Sequence, residues 1–274
     1  MSRAASATVS RGQGGPVTRP ADRGTAILAR LEMELRLTAR RAENVLVTAV
    51  IPAAVLMFFS WVPVFAPDDA GGRAVDRLLP GTLALAVIAT GLVSLGIATA
   101  YERHYGVLKR LGGSPLGRTE LVVAKLGAVL VVELVQVAAL IVIAVGPLGW
   151  RPDPSAAPSA IIGAAGLGLG TAAFAGMGLL LAGALRAEVT LAVANALFLG
   201  FLLLGGVVVP LDRLPDPIGS AAIVLPSAAL IEIFHAALGG AASATAPDPG
   251  TSLLILTAWA IGAVVLAARS FRWE

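Results

Sequence analysis

From Pro80 to Tyr101 the chain runs for 22 residues without a single charge. As a helix, that stretch rises about 33 Å and can cross the ~30 Å hydrocarbon core of a bilayer. Such runs recur: six stretches, at roughly 44–66, 80–101, 121–146, 159–185, 189–209 and 251–268, reach spanning length. The chain is 57% hydrophobic and only 14% charged, with a mean hydropathy of +0.86. Soluble domains carry about 25% charged residues. A chain this apolar cannot build a water-facing surface, so it takes lipid as solvent. Within lipid each backbone must satisfy its own hydrogen bonds, which here means helices. The expected fold class is therefore an all-α polytopic membrane protein with six transmembrane helices. Pro52 falls inside the first span, where neighbouring helices can compensate the lost donor.

A seventh apolar stretch, 218–238, contains Pro226, Glu232 and His235. Lys and Arg decide whether it crosses, because they concentrate on the cytoplasmic side. With six spans and both termini cytoplasmic, the inner segments hold 16 of the 20 basic residues. Arg73, Arg77, Arg151 and Arg213 remain outside, with Asp68, Asp69, Asp76, Asp153, Asp212, Asp216 and Asp248. A seventh crossing would put Arg269 and Arg272 outside and spoil this pattern. The stretch 218–238 is therefore predicted to be a re-entrant pair of short helices, broken at Pro226, between spans five and six.

The ends differ in character. Residues 1–21 are rich in Ser, Gly, Pro, Ala and Arg and read as a disordered cytoplasmic tail with no cleavable signal. Residues 22–43 read as an interfacial amphipathic helix. Asp22 is placed to cap it, and Ile27, Leu28, Leu31 and Leu35 recur at helical spacing. Arg30–Glu34 and Glu32–Arg36 are i,i+4 pairs, and the arginines are expected at the lipid headgroups. Residues 44–274 form the membrane domain.

Between the second and third spans lies a charged island, from Glu102 to Pro115. Residues 102–111 are predicted to continue the second span as a short helix, stopped by Gly112, Gly113 and Pro115. Val107, Leu108 and Leu111 are expected on one face, flanked by Arg103, Lys109 and Arg110. Apolar anchors with a charged rim suit a groove on a soluble partner. A basic loop serving topology alone would account for the charges but not for this spacing.

The pattern Glu102-Arg103-x-x-Gly106-x-Leu108-Lys109-Arg110-Leu111-x-x-Ser114-Pro115, followed by Lys125, resembles the coupling segment of ABC-2 type transporter permeases. The chain is especially similar to the bacterial drug and antibiotic export branch, the daunorubicin-resistance-type membrane subunits. The interfacial helix before span one, Pro210-Leu-x-x-Leu-Pro215, Leu225-Pro226 with Glu232, and Phe271-Arg272-Trp273 fit the same family; His235 stands where many relatives have arginine. The resemblance, over residues 22–274, implies a permease subunit of the plasma (inner) membrane that exports a lipophilic cargo. It implies pairing with a second permease, as homo- or heterodimer, and docking of cytoplasmic ABC ATPases on the coupling segment, 102–118. Val107 joins Glu102, Arg103, Gly106, Leu108 to Leu111, Ser114 and Pro115 as the coupling residues.

The chain has no Gly-x-x-x-x-Gly-Lys-Ser/Thr loop, so ATP and Mg are expected in the partner ATPase and no cofactor in this chain. No catalytic residue, metal site or nucleic-acid partner is expected; membrane lipids are. Without cysteine there is no thiol chemistry or disulfide, and His104 and His235 fall on opposite sides of the membrane.

Inside the spans, Glu133 and Gln136 are one helical turn apart. A carboxylate at that depth faces a bundle interior or a wet cavity. Glu133, Gln136, Asn195, Glu232 and His235 are the candidates for a translocation path or for intramembrane polar contacts. For Glu133 the readings are a substrate or proton contact, or a structural clamp with Asn195 as partner. A proton-coupled secondary efflux transporter acting through Glu133 is the alternative function. The glycines of span four, with Gly166 and Gly170 four apart, suit close helix packing.

Overall fold

The computed structural model describes residues 23–40, 42–62, 73–112, 117–151, 159–207, 211–239 and 246–270. Among them every regular element is helical. In chain order these are α1 (Arg23–Arg40), α2 (Ala42–Trp61), α3 (Ala74–Ile88), a π-helical segment (Ala89–Ser94), α4 (Leu95–His104), α5 (Val107–Gly112), α6 (Arg118–Val145) and α7 (Ser159–Ala184). There follow α8 (Ala187–Leu204), a 3₁₀ turn (Leu211–Arg213), α9 (Asp216–Ala222), α10 (Pro226–Leu238) and α11 (Pro249–Ser270). Residues 1–21, Ser114, Pro115, Pro210 and 271–273 lie outside the described residues.

Among the described residues five helices are long and apolar enough to cross a membrane, or six if the bent pair α9–α10 counts as one span: the continuous Ala74–His104, Thr119–Val145 within α6, α7, α8 and α11. The second span starts earlier than expected. Pro80 lies inside the helix rather than at its head. The start is set instead at Arg73, whose backbone N–H donates to Asp76 Oδ2 (3.0 Å) in a capping box. In α2 the helix ends at Trp61, short of the expected 66, and its described apolar stretch is Thr48–Trp61.

The 218–238 stretch is two helices, α9 and α10, bent by 71° at a break just before Pro226. Proline lacks an N–H, so it fits the first helical position and not the interior of a preceding helix. The 13 residues of α10 rise about 20 Å, short of the ~30 Å core. Trp259 Nε1 of α11 donates to the Val224 carbonyl (2.9 Å) and so holds the break in place.

Helix α7 is the hub, packed against α4, α10 and α11. Its glycines take up the neighbours' bulk. A Cβ at Gly166 would strike Ile233, one at Gly170 would meet Leu230, and one at Gly176 would meet Ala263. Intrachain packing is thus what the glycine-rich face does. The tightest approach to a neighbour's backbone is at the π segment: a Cβ at Gly178 would lie 2.6 Å from the Gly91 carbonyl oxygen and 2.9 Å from that of Leu92. Backbone atoms cannot swing aside as a side-chain tip can.

Arg73 donates to the Gly149 carbonyl, linking the start of α3 to the end of α6, where Trp150 is buried in the main core. The start of α11 is capped by Asp248, which accepts from the Thr251 hydroxyl and from the Thr251 and Gly250 amides. The Thr251 hydroxyl foremost, then its amide, hold this carboxyl below its ordinary value. A depressed native value means the cap's stabilisation is complete above about pH 3.8 and fades as pH falls from there through the lower native value.

Gly178→Val should lower the melting temperature of the purified protein, through a loss of about 1–3 kcal/mol from overpacking. Gly168→Ala, where an added Cβ meets nothing within 4 Å, should leave it unchanged or raise it by the helix preference of Ala over Gly, about 0.5–1 kcal/mol. Equal melting of the two variants would contradict the α7 seam.

Candidate functional site

The island does not continue α4 as a single helix. The chain turns at Tyr105–Gly106, with Gly106 at φ +70°, then starts again as α5. That φ belongs to the left-handed region, open to glycine at no steric cost. The turn sends consecutive side chains in different directions.

Glu102 points inward. Lys125 Nζ, at the start of α6, donates to Glu102 Oε2 (2.8 Å) and lies 3.2 Å from Glu34 Oε1 of α1. Glu34 in turn accepts from Arg30 (2.5 Å). All four residues are at least nine-tenths buried. The order Arg30, Glu34, Lys125, Glu102 alternates in sign and sums to zero, so each desolvated charge has an opposite neighbour. Arg30 was expected at the lipid headgroups; with Glu34 it lies instead against α6. The exposed pair Glu32–Arg36 (2.5 Å) occupies the outer face of α1.

Arg103 points toward α7. It donates to the carbonyls of Gly183 and Leu185, oxygens that the end of α7 leaves without helical partners. Leu108 is buried completely among Leu121, Val122, Leu179 and Ala267. It therefore cannot be an outward anchor beside Val107, a correction whose cause is the turn at Gly106. The side chains of Arg110 and Leu111 lie outside the described residues. The outward face consists of His104, Tyr105, Val107 and Lys109, with Tyr105 stacked on Tyr101 at 6.1 Å.

Tyr101, Tyr105 and Val107 also close one end of a groove of about 580 Å³. Ile51 and Pro52 of α2 form one wall, Leu85, Val93 and Ile97 a second, and Asn195 and Phe198 of α8 the third. This volume lies in the range of small-molecule sites, which are largely apolar with a few polar groups.

Asn195 belongs to the groove and is not the partner of Glu133. Its amide donates to the Leu191 carbonyl (2.8 Å). Glu133 is fully buried on α6 and hydrogen-bonds Thr171 of α7. Gln136 has other partners: it accepts from Thr90 (2.9 Å) and donates to Thr48 (3.0 Å). Glu232 is buried in α10 and His235 partly buried. Since Ala237 meets Gly163 in the first turns of α7, this pair sits toward the end of the bundle away from Lys125. Among the described residues no cluster of three or more His, Asp or Glu could hold a metal ion.

The pattern of the ABC-2 type transporter family matches residues 25–238, from α1 through α10. The chain belongs to the ABC-2 type transporter family. Comparison with curated proteins gives no match. The ABC-2 chain is a multi-pass membrane protein and a permease. The family comprises membrane transport subunits that normally work with an ABC ATPase. The matched region contains the island and all four members of the buried charge chain. Sequence reasoning missed Thr171, Thr90 and Thr48 as polar partners. The clue available was Glu133 and Gln136 themselves, which at membrane depth oblige hydroxyls on facing helices.

Lys125→Met should strand two buried carboxylates. Removing one partner of a buried pair costs about 3–5 kcal/mol. The expected outcome is a large drop in thermal stability, partly restored by the additional change Glu102→Gln. No rescue would show that the two charges are not coupled.

Proposed function

We propose that this permease exports a lipophilic cargo, antibiotic-like or lipid-like, out of the cell in the manner of the drug-export branch. The energy comes from ATP and Mg in a separate ABC ATPase. The permease sits in the plasma membrane with both termini cytoplasmic and pairs with a second permease subunit. In this reading α2 is the sixth span and α9–α10 a re-entrant pair. The end of the bundle holding the charge chain then faces the cytoplasm, consistent with the Lys/Arg distribution.

The observation that carries the reading is the double role of Tyr105 and Val107. They belong to the exposed face of the island and also close the groove. A partner docked on that face acts directly on the groove's mouth. Arg103 and Glu102 extend the same push to α7 and α6. Residues 102–118 are the coupling segment, with Tyr105, Val107 and Lys109 as contacts. Gly106, Leu108, Glu102 and Arg103 set its shape from inside. The groove's apolar walls suit a lipophilic cargo, with Asn195 as a polar contact.

Replacing Tyr105, Val107 and Lys109 together by Ala, Asp and Glu should abolish capture of the ATPase while leaving the melting temperature near wild type. Leu108→Ser should do the reverse, lowering stability because it buries a hydroxyl in an apolar cluster. ATPase capture by the triple variant at wild-type level would sink the docking face. Export in proteoliposomes that follows a proton gradient and ignores ATP would replace this reading with proton-coupled efflux.

A further inference from the structure

A second, smaller cavity, of about 80 Å³, lies behind the groove wall. At one end are Glu34, Glu102 and Lys125 of the charge chain; farther in are the hydroxyl-bearing Ser94, Thr90 and Thr48. It follows one face of α6 past Ala128, Val129 and Val132. Gln136 is the next residue on that face, and with its partners Thr90 and Thr48 it caps the inner end. Beyond it, Val137, Leu140 and Ala144 belong to the apolar core. A cavity this size, lined by hydroxyls and carboxylates, has room and polar partners for several waters. The residue after Val132 is Glu133.

The hydrogen bonds around Glu133 bear on where its proton is. Thr171 Oγ1 is within bonding distance of both Glu133 Oε2 and the Leu167 carbonyl (2.7 Å). A hydroxyl has one proton to donate, and a carbonyl oxygen can only accept. Both bonds form together when Thr171 donates to Leu167 and accepts from a protonated Glu133. Glu133 Oε1 is buried with no protein partner among the described residues. Among the described residues no cation pairs with Glu133; on the other helices packed against α6, the charges of α3 are Asp76 and Arg77 in its first turn, and that of α11 is Arg269 in its last. Over Ser159–Ala184 α7 has no charged or titratable side chain, nor has the π segment, nor Thr48–Trp61 of α2. On α6 the nearest charge is Lys125, two turns away and already bound to Glu102 and Glu34. Glu232 and His235 are on α10, which packs on the Gly163–Gly170 face of α7.

We propose that Glu133 is a proton-binding carboxyl inside the bundle, supplied with protons by water from the charged end through the cavity beside Lys125. The proton arrives on a hydronium ion, whose O–H bond breaks as the carboxyl O–H forms, and it leaves by the reverse path. In the loaded state Glu133 clamps α6 to α7. In the unloaded state a carboxylate and the Leu167 carbonyl compete for one hydroxyl proton, and the clamp weakens.

The test is infrared difference spectroscopy on the full chain in lipid nanodiscs, without ATPase or cargo, so its outcome is independent of the exporter reading. At neutral pH the wild type should show the carbonyl band of a protonated carboxylic acid, and Glu133→Gln should lack it. Thr171→Val should keep the band but displace it, because the acid loses its acceptor. Transfer to D₂O should shift the wild-type band promptly. Ser94→Leu, which fills the cavity wall, should slow that shift severalfold. Absence of the acid band in folded wild type, or its persistence in Glu133→Gln, overturns the proposal. Should Glu133→Gln fail to fold, an undisplaced band in Thr171→Val does the same. Wild-type exchange kinetics in Ser94→Leu overturn the route through the cavity.

Discussion

The buried chain of alternating charges, Arg30, Glu34, Lys125 and Glu102, is the constraint on which the rest of the arrangement depends. Moving an isolated charge out of water costs several kcal/mol even after relaxation. None of the four can be left alone in an apolar bundle. They are satisfied only when α1, the end of α4 and the start of α6 meet at one place. The cluster therefore adds little net stability compared with apolar packing. It sets the register of three helices instead, since a helix rotated or slid by one residue would strand a charge.

That register decides what the island can present. With Glu102 tied to α6, Arg103 tied to the end of α7 and Leu108 sunk into an apolar cluster, the segment has little freedom to move by itself. The turn at Gly106 leaves Tyr105, Val107 and Lys109 facing outward. The same turn brings Tyr105 and Val107 to the groove. A small segment thus joins an exposed face, two helix termini and a cavity wall, and the proposed coupling to a partner ATPase rests on that linkage.

Helix α7 supplies the complementary rigidity. Its glycines make room for side chains of α10 and let the backbones of α11 and the π segment come close, where dispersion and not hydrophobic expulsion holds helices in lipid. The π segment adds a wide turn opposite α7 that carries Thr90 to Gln136. Polar groups within the spans are thereby satisfied in two separate sets one turn apart on α6: Glu133 with α7, and Gln136 with α2 and the π segment.

Much of the fold was legible in the sequence because lipid imposes a local rule: an apolar run of sufficient length must be a helix. Pro80–Tyr101, the uncharged stretches of α6, α7, α8 and α11, and the break at Pro226 followed from length, charge and the missing proline N–H. Glu102, Arg103 and Lys125 also stood out by their spacing in the island and after it, and the structure joins Glu102 to Lys125 in a salt bridge. Where those side chains point was not. Glu102, Arg103 and Leu108 were expected at a docking face and turn inward, Arg30 was expected at headgroups and is buried, and Glu133 bonds Thr171 and not Asn195. Sequence spacing relates residues three or four apart on one helix. Which residue on another helix lies opposite depends on the rotation and crossing of every helix at once, and here that was settled by the buried charges and the glycine seam together.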